Sequence, residues 1–375
     1  MWLPLLLACA EPSPPGAWTL LVYLNGDNDL EAAALADLNE LERIGSTADV
    51  TVLAQLDRSA GYTDLDGDWA GARRYRVTRD DDTATLGSPV LADLGEVDSG
   101  SAETLVDFAR WGMRTAPSER VALILWDHGS GWSVATGGKG LSGDEGSGTA
   151  LRVAEGDLGQ VLAGAADAYG GPLDLVGLDA CWMMGWEVAT EVAPHAAVLV
   201  ASQTEEPRTG WSYDHLLGAL AVDPDLDGAG LGEVIVETYA ATDGPTLSAL
   251  DLGALPALTG ALDDLAGAAT ADAPLTWRPW ASAALATSGD ADRDLGALVD
   301  ATKGQDLSDA VLDAADALDL ALDALVLAST TQDAWSAASG LSIYAPVDGV
   351  DPAWLDAPWA DQTRWGELLL AGTDP

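Results

Sequence analysis

The sequence predicts an α/β fold in which a mostly parallel β-sheet is packed between helices. Short apolar segments alternate with amphipathic helical patterns along most of the chain, which is typical of repeated strand–helix–strand units. Several of these segments are apolar throughout, as expected for strands that are buried on both faces. The 375 residues exceed the usual size of one hydrophobic core, so we expect a large α/β domain and a smaller C-terminal region.

The first predicted elements form one strand–helix–strand unit. We expect a strand at 18–24, a helix at about 29–44 and a second strand at 50–56. The polar run from Asn25 to Asp29 supplies residues that favour the start of a helix. Because a helical crossover joins the two strands, they are expected to pair in parallel.

The acidic segment Asp64–Asp68 allows two interpretations. Its carboxylates lie close together, as in a calcium-binding loop, but it lacks the spacing and the terminal glutamate of an EF-hand. We therefore favour a hairpin turn and keep a calcium site as the alternative. A helix is predicted next, at about 101–115.

Two further predicted strands end at residues that carry chemistry. The apolar run at 120–126 leads into a polar, glycine-rich segment that contains His128. A second apolar run, which starts at Leu173, leads to Asp179 and Cys181 and then to a helical pattern. The carboxyl ends of parallel strands meet at one edge of a sheet, so the thiol and the imidazole can form a nucleophile pair. A helix that began beside the thiol would also stabilise its thiolate.

The alternative for Cys181 alone is an inert core residue, which is the more common role of a single cysteine. Its combination with His128 favours the catalytic interpretation. The other two histidines, His195 and His215, lie away from the predicted strand ends. We interpret them as surface or packing residues.

The remaining elements of this part of the chain surround the two strands. Residues 133–150 are rich in glycine, serine and threonine and are predicted to form an exposed loop. A helix is expected near 155–168 and a buried strand at 196–202. The loop at 203–210 would then open on the same edge of the sheet as His128 and Cys181.

Beyond residue 222 the composition shifts to alanine, leucine and aspartate. Apolar residues recur at helical spacing from Leu307 to Leu325, which predicts an amphipathic helix that packs on the main domain. A strand at 341–344 is expected to return to that domain. The predicted organisation is therefore a leader and spacer at 1–17, a catalytic domain at 18–222 and a C-terminal region at 223–375.

The N-terminal segment is apolar but much shorter than the roughly 20 residues that a membrane span needs. Residues 6–9, Leu-Leu-Ala-Cys, resemble a lipobox, which predicts lipidation of Cys9 in an exported protein. The proline-rich residues that follow predict an extended spacer. A lipidated Cys9 leaves Cys181 without a disulfide partner, and an unpaired thiol in an exported protein favours a reactive role.

The chain carries 61 acidic and 16 basic residues, a formal net charge of -45. This charge argues against nucleic acids and anionic lipid surfaces as partners. It suits cationic substrates, divalent cations or a saline habitat, and composition does not separate these alternatives.

Six segments carry a resemblance to a known family: 20–31, 67–75, 125–132, 178–183, 201–207 and 340–346. In these segments, and from residue 18 to the end, the sequence resembles the clostripain-like cysteine peptidases. The resemblance implies a caspase-type α/β/α sandwich and a cysteine endopeptidase, and we expect a monomer. It implies a dyad of His128 and Cys181 with no third member and no required cofactor, with calcium open as an activator or stabiliser.

Within that dyad, Cys181 would attack the scissile carbonyl and His128 would protonate the leaving amine. The backbone N–H groups of Gly129 and Cys181 are predicted to hold the oxyanion. The alternative from another class is a surface-anchored binding protein with an inactive peptidase fold. The presence of both Cys181 and His128, each in an intact motif, argues against it.

Asp179 is the predicted specificity residue, because residues i and i+2 of a strand share a face and Cys181 lies two positions on. Its carboxylate would select a basic P1 side chain, and the resemblance implies the same preference. The family often has an aspartate where this chain has Thr209, so the second acidic group is missing unless Glu205 or Glu206 supplies it.

We also expect self-cleavage between the two catalytic elements. The basic residues in that interval are Lys139 and Arg152. Lys139 is flanked by glycines, whereas Arg152 adjoins apolar residues, so cleavage after Lys139 is favoured over cleavage after Arg152. The absence of any processing is the third alternative.

Overall fold

The computed structural model describes residues 16–133, 140–272, 277–288 and 291–371. The strands of this part of the chain are β1 Gly16–Gly26, β2 Val50–Arg58, β3 Ala72–Arg76, β4 Val90–Gly95, β5 Ser118–Trp126, β6 Leu141–Asp144, β7 Thr149–Leu151, β8 Leu173–Asp179, β9 Ala196–Ala201, β10 Thr246–Asp251, β11 Ala286–Ser288, β12 Asp292–Asp294, β13 Val326–Thr331 and β14 Ser342–Tyr344. The helices are α1 Glu31–Ile44, α2 Ala102–Thr115, α3 Asp157–Tyr169, α4 Trp186–Val192, α5 Tyr213–Val222, α6 Gly228–Tyr239, α7 Leu255–Ala271, α8 Arg278–Ala283, α9 Leu295–Lys303, α10 Asp309–Leu325, α11 Pro352–Leu355 and α12 Trp365–Ala371.

A central sheet dominates the described residues, with the strand order β13-β10-β9-β8-β5-β1-β2-β3-β4. The five strands from β9 to β2 pair in parallel. Antiparallel strands extend the sheet at both ends, β3 and β4 at one end and β10 and β13 at the other. The predicted mostly parallel sheet is therefore confirmed.

Two hydrophobic cores lie on opposite faces of this sheet. Along β1, Leu21 and Tyr23 belong to one core, while Leu20, Val22 and Leu24 belong to the other. Successive side chains of a strand point to opposite faces, so a strand between two helical layers must be apolar at every position. Helices α2, α3, α4, α7 and α10 cover the first face, and α1, α5 and α6 cover the second. The molecule is thus the predicted α/β/α sandwich.

Most predicted elements of the N-terminal half lie within a few residues of the observed ones. The segment that contains Asp64–Asp68 connects β2 to β3, which pair in antiparallel fashion, so the predicted hairpin turn is confirmed. The prediction of an exposed loop at 133–150 is partly wrong. Strands β6 and β7 form a two-stranded sheet, and β6 is buried because Leu141 packs into the core. Residues 134–139 lie outside the described residues.

The C-terminal region contributes to the central sheet as well as to the helical layer. Strands β10 and β13 extend the sheet beyond β9, and α10 buries the apolar face that the sequence predicts. Strand β14 pairs in a separate sheet with β11 and β12, and an isolated parallel bridge joins Ser342 to Gly185, just before α4. The division at residue 222 stays a prediction.

Among the described residues, no helix combines the length and the apolar character needed to cross a membrane.

Candidate active site

His128 and Cys181 follow two neighbouring strands. Strands β5 and β8 pair in parallel, with Trp126 opposite Asp179 at their carboxyl ends. The residues that come next in each strand therefore lie side by side at the edge of the sheet. A cavity of about 170 Å³ opens there, and both His128 and Cys181 line it. The structure thus brings the predicted nucleophile and the predicted general acid to one site.

The loops that carry these two residues approach each other at Gly129. A Cβ atom at this position would lie 2.4 Å from the carbonyl oxygen of Cys181 and 3.1 Å from its amide nitrogen. Any side chain at this position would therefore push the two segments apart. The close approach places the main chain of Gly129 beside that of Cys181, the two segments predicted to form the oxyanion hole.

The thiol of Cys181 is half-buried, and its Sγ accepts a hydrogen bond from the backbone N–H of Glu206 at 3.2 Å. Burial raises the pKa of the Cys181 thiol, and this hydrogen bond partly opposes the rise. The expectation of a helix N-terminus beside the thiol is wrong, because α4 begins only at Trp186. The helix dipole therefore does not stabilise a thiolate here, and His128 is the residue in the cavity wall that can exchange a proton with the thiol.

His128 is held by a carboxylate that the sequence did not single out. Its Nε2 lies 2.8 Å from Oδ1 of Asp29, and Oδ2 of Asp29 pairs with Nη2 of Arg208 at 2.5 Å. Arg208 also donates through Nη1 to the carbonyl oxygen of Asp29 at 2.9 Å. The hydrogen bond from His128 is the first cause, and that from Arg208 a further cause, of a pKa of about 2 for Asp29. Asp29 is therefore ionised at neutral pH.

Sequence reasoning assigned Asp29 to the polar run before the first helix. In the structure, Asp29 comes close to His128 because β1 lies directly beside β5 in the sheet. A residue that follows β1 reaches the same edge as a residue that follows β5. That adjacency, however, depends on the strand order, which the sequence pattern did not give.

Three acidic residues line the cavity, Asp127, Asp179 and Glu206, and we call Asp179 and Glu206 its floor. Asp179 is buried, and its Oδ2 accepts hydrogen bonds from the hydroxyl of Tyr213 at 2.8 Å and from the backbone N–H of Trp211 at 3.3 Å. Trp211 also donates through Nε1 to Oε2 of Glu206 at 3.0 Å. The other carboxyl oxygen of Glu206, Oε1, is also buried, and this carboxyl group lies close to that of Asp179 and to the hydroxyl of Tyr239.

The floor brings several carboxyl groups together in a small, buried volume. Burial raises the pKa of Asp179 to about 6 and raises that of Glu206 well above its usual range. Asp37, also buried, lies close by, because a Cβ atom on Gly210 would be 2.8 Å from Oδ2 of Asp37 and 3.1 Å from Oδ2 of Asp179. Among the described residues that line the cavity, the cationic side chain of Arg208 is already paired with Asp29. The floor therefore favours a cation supplied by a ligand.

The other predicted site residues are placed differently. Glu205 is exposed and is not among the residues that line the cavity, so Glu206 is the better candidate for the second acidic group. Lys139 and Cys9 lie outside the described residues. His195 is partly buried, and burial lowers its pKa, while His215 is exposed and pairs with Asp214 at 2.9 Å. Both positions agree with the interpretation as surface or packing residues.

One group of carboxylates could hold a divalent cation. Oxygen atoms of Asp27, Glu96 and Asp144 lie within 4.8 Å of one another. Burial raises the pKa of Asp144, and Asp27 raises it further. This group does not line the cavity of His128 and Cys181, and it is distinct from the segment Asp64–Asp68.

Comparisons with known proteins extend these observations. The model of the clostripain family matches residues 22–292. Clostripain from Hathewaya histolytica is 24% identical over 220 residues, which cover 53% of this chain and 41% of clostripain. The match thus spans less than half of the length of that relative.

Solved structures match over more of the chain. A secreted C11 cysteine protease from Bacteroides thetaiotaomicron, in complex with an irreversible peptide inhibitor, is 20% identical with a TM-score of 0.72. The match covers 94% of this chain and 100% of that one. The inactive zymogen of a C11 protease from Parabacteroides distasonis is 19% identical with a TM-score of 0.69, covering 94% and 99% of the two chains. These matches show that the predicted caspase-type sandwich is the fold that the chain shares with them.

Proposed function

Because the chain belongs to the clostripain family, we propose that it is a cysteine endopeptidase that cleaves peptide bonds after basic residues. The observation that carries the proposal is the cavity at the ends of β5 and β8. It combines a thiol, an imidazole and an acidic floor in one place. Each of these groups has a separate role in the reaction.

The reaction begins with transfer of the thiol proton from Cys181 to His128. Since burial raises the pKa of the thiol, the thiolate forms by this transfer rather than in advance. Sγ then adds to the scissile carbonyl carbon, and the N–H groups of Gly129 and Cys181 donate to the oxyanion. The imidazolium gives its proton to the leaving amine as the C–N bond breaks. A water molecule then hydrolyses the thioester and regenerates the thiol.

The floor of the cavity supports the preference for a basic P1 side chain. The carboxyl groups of Glu206 and Asp179 both line the cavity and offer acceptor oxygens to a ligand. A guanidinium or ammonium group would pair with both carboxylates, whereas a neutral side chain would leave them unsatisfied. The net charge of the chain, -45, further attracts cationic substrates over long distances.

We propose that hydrolysis requires no cofactor, because each proton and bond in this scheme is handled by Cys181, His128 or water. A calcium ion would act at a distance from the dyad, at Asp27, Glu96 and Asp144. Its effect would then be seen as a rise in thermal stability rather than as a requirement for turnover.

The dyad is tested with fluorogenic peptides that differ only in the P1 residue: arginine, lysine, leucine or aspartate. Reduced wild-type protein should cleave the arginine and lysine peptides, and Cys181→Ala and His128→Ala should each lose activity while staying folded. His215→Ala, at an exposed position outside the cavity, is the control for loss of a histidine. If wild type cleaves none of the peptides, the chain is better explained as a binding protein on an inactive peptidase fold.

We further propose that the enzyme cleaves itself after Lys139. Of the two basic residues between the dyad members, Arg152 is held in ordered structure: its backbone N–H donates to Asp157 at 2.9 Å and its guanidinium to Glu155 at 2.8 Å. Ordered segments resist entry into a protease cleft, so Arg152 is the poorer site. On a denaturing gel, wild type should give two fragments and Cys181→Ala one intact chain. A single full-length band from active wild type would contradict self-processing.

Location and oligomeric state complete the proposal. We propose an exported, monomeric enzyme whose contact with a membrane is limited to lipid on Cys9. Mass spectrometry of the N-terminal peptide tests the lipid, and an unmodified Cys9 would leave only export. Sedimentation equilibrium tests the monomer.

A further inference from the structure

We propose that Asp29 is a positioning residue of the catalytic pair, which fixes the tautomer of His128 so that Nδ1 exchanges the proton with Cys181. This inference rests on the proposed peptidase function. Asp29 lies outside the dyad, and its role is to hold one nitrogen of His128 so that the other is available for the reaction.

The tautomer follows from the contact itself. Nε2 of His128 lies 2.8 Å from Oδ1 of Asp29, which is within hydrogen-bond distance. Oδ2 of the same carboxyl group forms an ion pair with Arg208, so Asp29 is a carboxylate and can only accept a hydrogen bond. Nε2 must therefore carry the proton of the neutral imidazole. Nδ1 is left as the basic nitrogen, the one that can take the thiol proton and return it to the leaving amine.

The segment that carries Asp29 is fixed against the strand that carries His128. The side chain of Asn28 donates through Nδ2 to Oδ1 of Asp127 at 2.8 Å and to the carbonyl oxygen of Gly143 at 3.0 Å. Its own Oδ1 accepts from the N–H of Leu30 at 2.9 Å. Asp127 directly precedes His128, so these bonds join the segments of the carboxylate and the imidazole. Asp29 is thus held in place before any substrate binds, which is what a positioning residue requires.

Arg208 fixes the second oxygen of the same carboxylate. It pairs with Oδ2 at 2.5 Å and donates to the carbonyl oxygen of Asp29 at 2.9 Å. With Oδ2 engaged, Oδ1 is the oxygen presented to His128. Arg208 follows Glu206, whose N–H donates to the thiol of Cys181. The loop of Glu206 and Arg208 therefore contacts the nucleophile directly and the histidine through Asp29.

The tautomer can be read directly by NMR, because the chain has only three histidines. Protein labelled with ¹⁵N-histidine is prepared in the Cys181→Ala background, which prevents self-cleavage, and the signals are assigned with His195→Gln and His215→Gln. The ring nitrogens of His128 should show the Nε2–H form. When Asp29→Ala is added, the signals should become those of a mixture of tautomers. Arg208→Gln also breaks the ion pair between Arg208 and Asp29, but it should retain the Nε2–H form because Asp29 is still present. Equal spectra with and without Asp29 would overturn the proposal.

The kinetic test uses Asp29→Asn, which keeps the size of the side chain and removes its charge. Against the arginine peptide, kcat should fall by about 100-fold while KM changes by less than about 3-fold, because proton transfer is impaired and the binding floor is intact. Asp29→Glu should recover part of kcat. An unchanged kcat in a folded variant would overturn the positioning role and leave the peptidase proposal standing. If wild-type protein had no activity, both the positioning role and the peptidase proposal would be wrong.

Discussion

Two pairs of acidic residues flank the segment that carries Cys181, and they differ in what surrounds them. Asp179 and Glu206 form the floor of the open cavity of about 170 Å³. Glu187 and Asp292 line a much smaller cavity of about 10 Å³, which Trp182 also lines. Burial raises the pKa in both pairs, to about 6 for Asp179 and Asp292 and to about 7 for Glu187.

The hydrogen bonds of the two pairs are different. Oε1 of Glu187 accepts from the N–H of Tyr344 at 3.1 Å and from Nε1 of Trp354 at 2.9 Å, so it ties α4 to the C-terminal region. Asp292 accepts from Nε1 of Trp132 at 3.3 Å. The first pair lines a cavity with enough space to admit a side chain. Burial of a carboxyl group alone therefore does not mark a binding site. Open volume beside the carboxyl group is needed as well.

The largest expected effect is a loss of selectivity for a basic P1 residue when Asp179 or Glu206, the pair at the larger cavity, is replaced. Asp179→Asn and Glu206→Gln should each lower kcat/KM for an arginine peptide by about 100-fold or more, because a buried cation would lose its charged partner. The measurement compares arginine and leucine peptides, so that a general loss of activity is separated from a loss of selectivity. Glu187→Gln is the matched control and should leave the ratio unchanged. If Glu187→Gln lost selectivity and Asp179→Asn kept it, Glu187 rather than Asp179 would determine the P1 preference.

A loss of folding stability is expected when Glu187, of the pair at the smaller cavity, is replaced by alanine. Glu187→Ala removes the acceptor of two buried N–H groups and should lower the free energy of unfolding by about 2–5 kcal/mol. Glu187→Gln keeps an acceptor oxygen and should cost much less. Urea denaturation measures both variants beside Glu206→Gln, which should be close to wild type. Equal stability of Glu187→Ala and wild type would show that these hydrogen bonds do not tie α4 to the C-terminal region.

The smallest effect concerns pH. The pKa values of Asp179 and Glu187 are higher in the folded protein than in the unfolded chain, so the unfolded state releases these protons first. Their contribution to stability is fully present below about pH 4 and is lost as the pH rises through 6 and 7. Thermal melts should show Tm falling by about 2–5 °C between pH 5 and pH 8. Glu187→Gln should flatten this dependence, and a Tm that rises over the interval would contradict the assigned shifts.

The sequence by itself determined the repeated strand and helix pattern and the positions of His128 and Cys181 at strand ends. These features depend on local periodicity and on the burial of short apolar runs, which neighbouring residues encode. For the same reason the amphipathic face of α10 and the turn between β2 and β3 were predictable. Each can be inferred from a window of fewer than about 20 residues.

Only the tertiary structure decided which distant residues meet at those strand ends. Asp29 reaches His128 because β1 lies beside β5, and Arg208 reaches Asp29 across 179 positions of sequence. Glu206 rather than Glu205 faces Asp179 because Trp211 donates to both Asp179 and Glu206. Strand order and loop conformation are set by long-range pairing and by hydrogen bonds between segments far apart in the chain. Local pattern carries no information about either, which is why the placement of His128 and Cys181 at strand ends could be predicted and the residues that contact them could not.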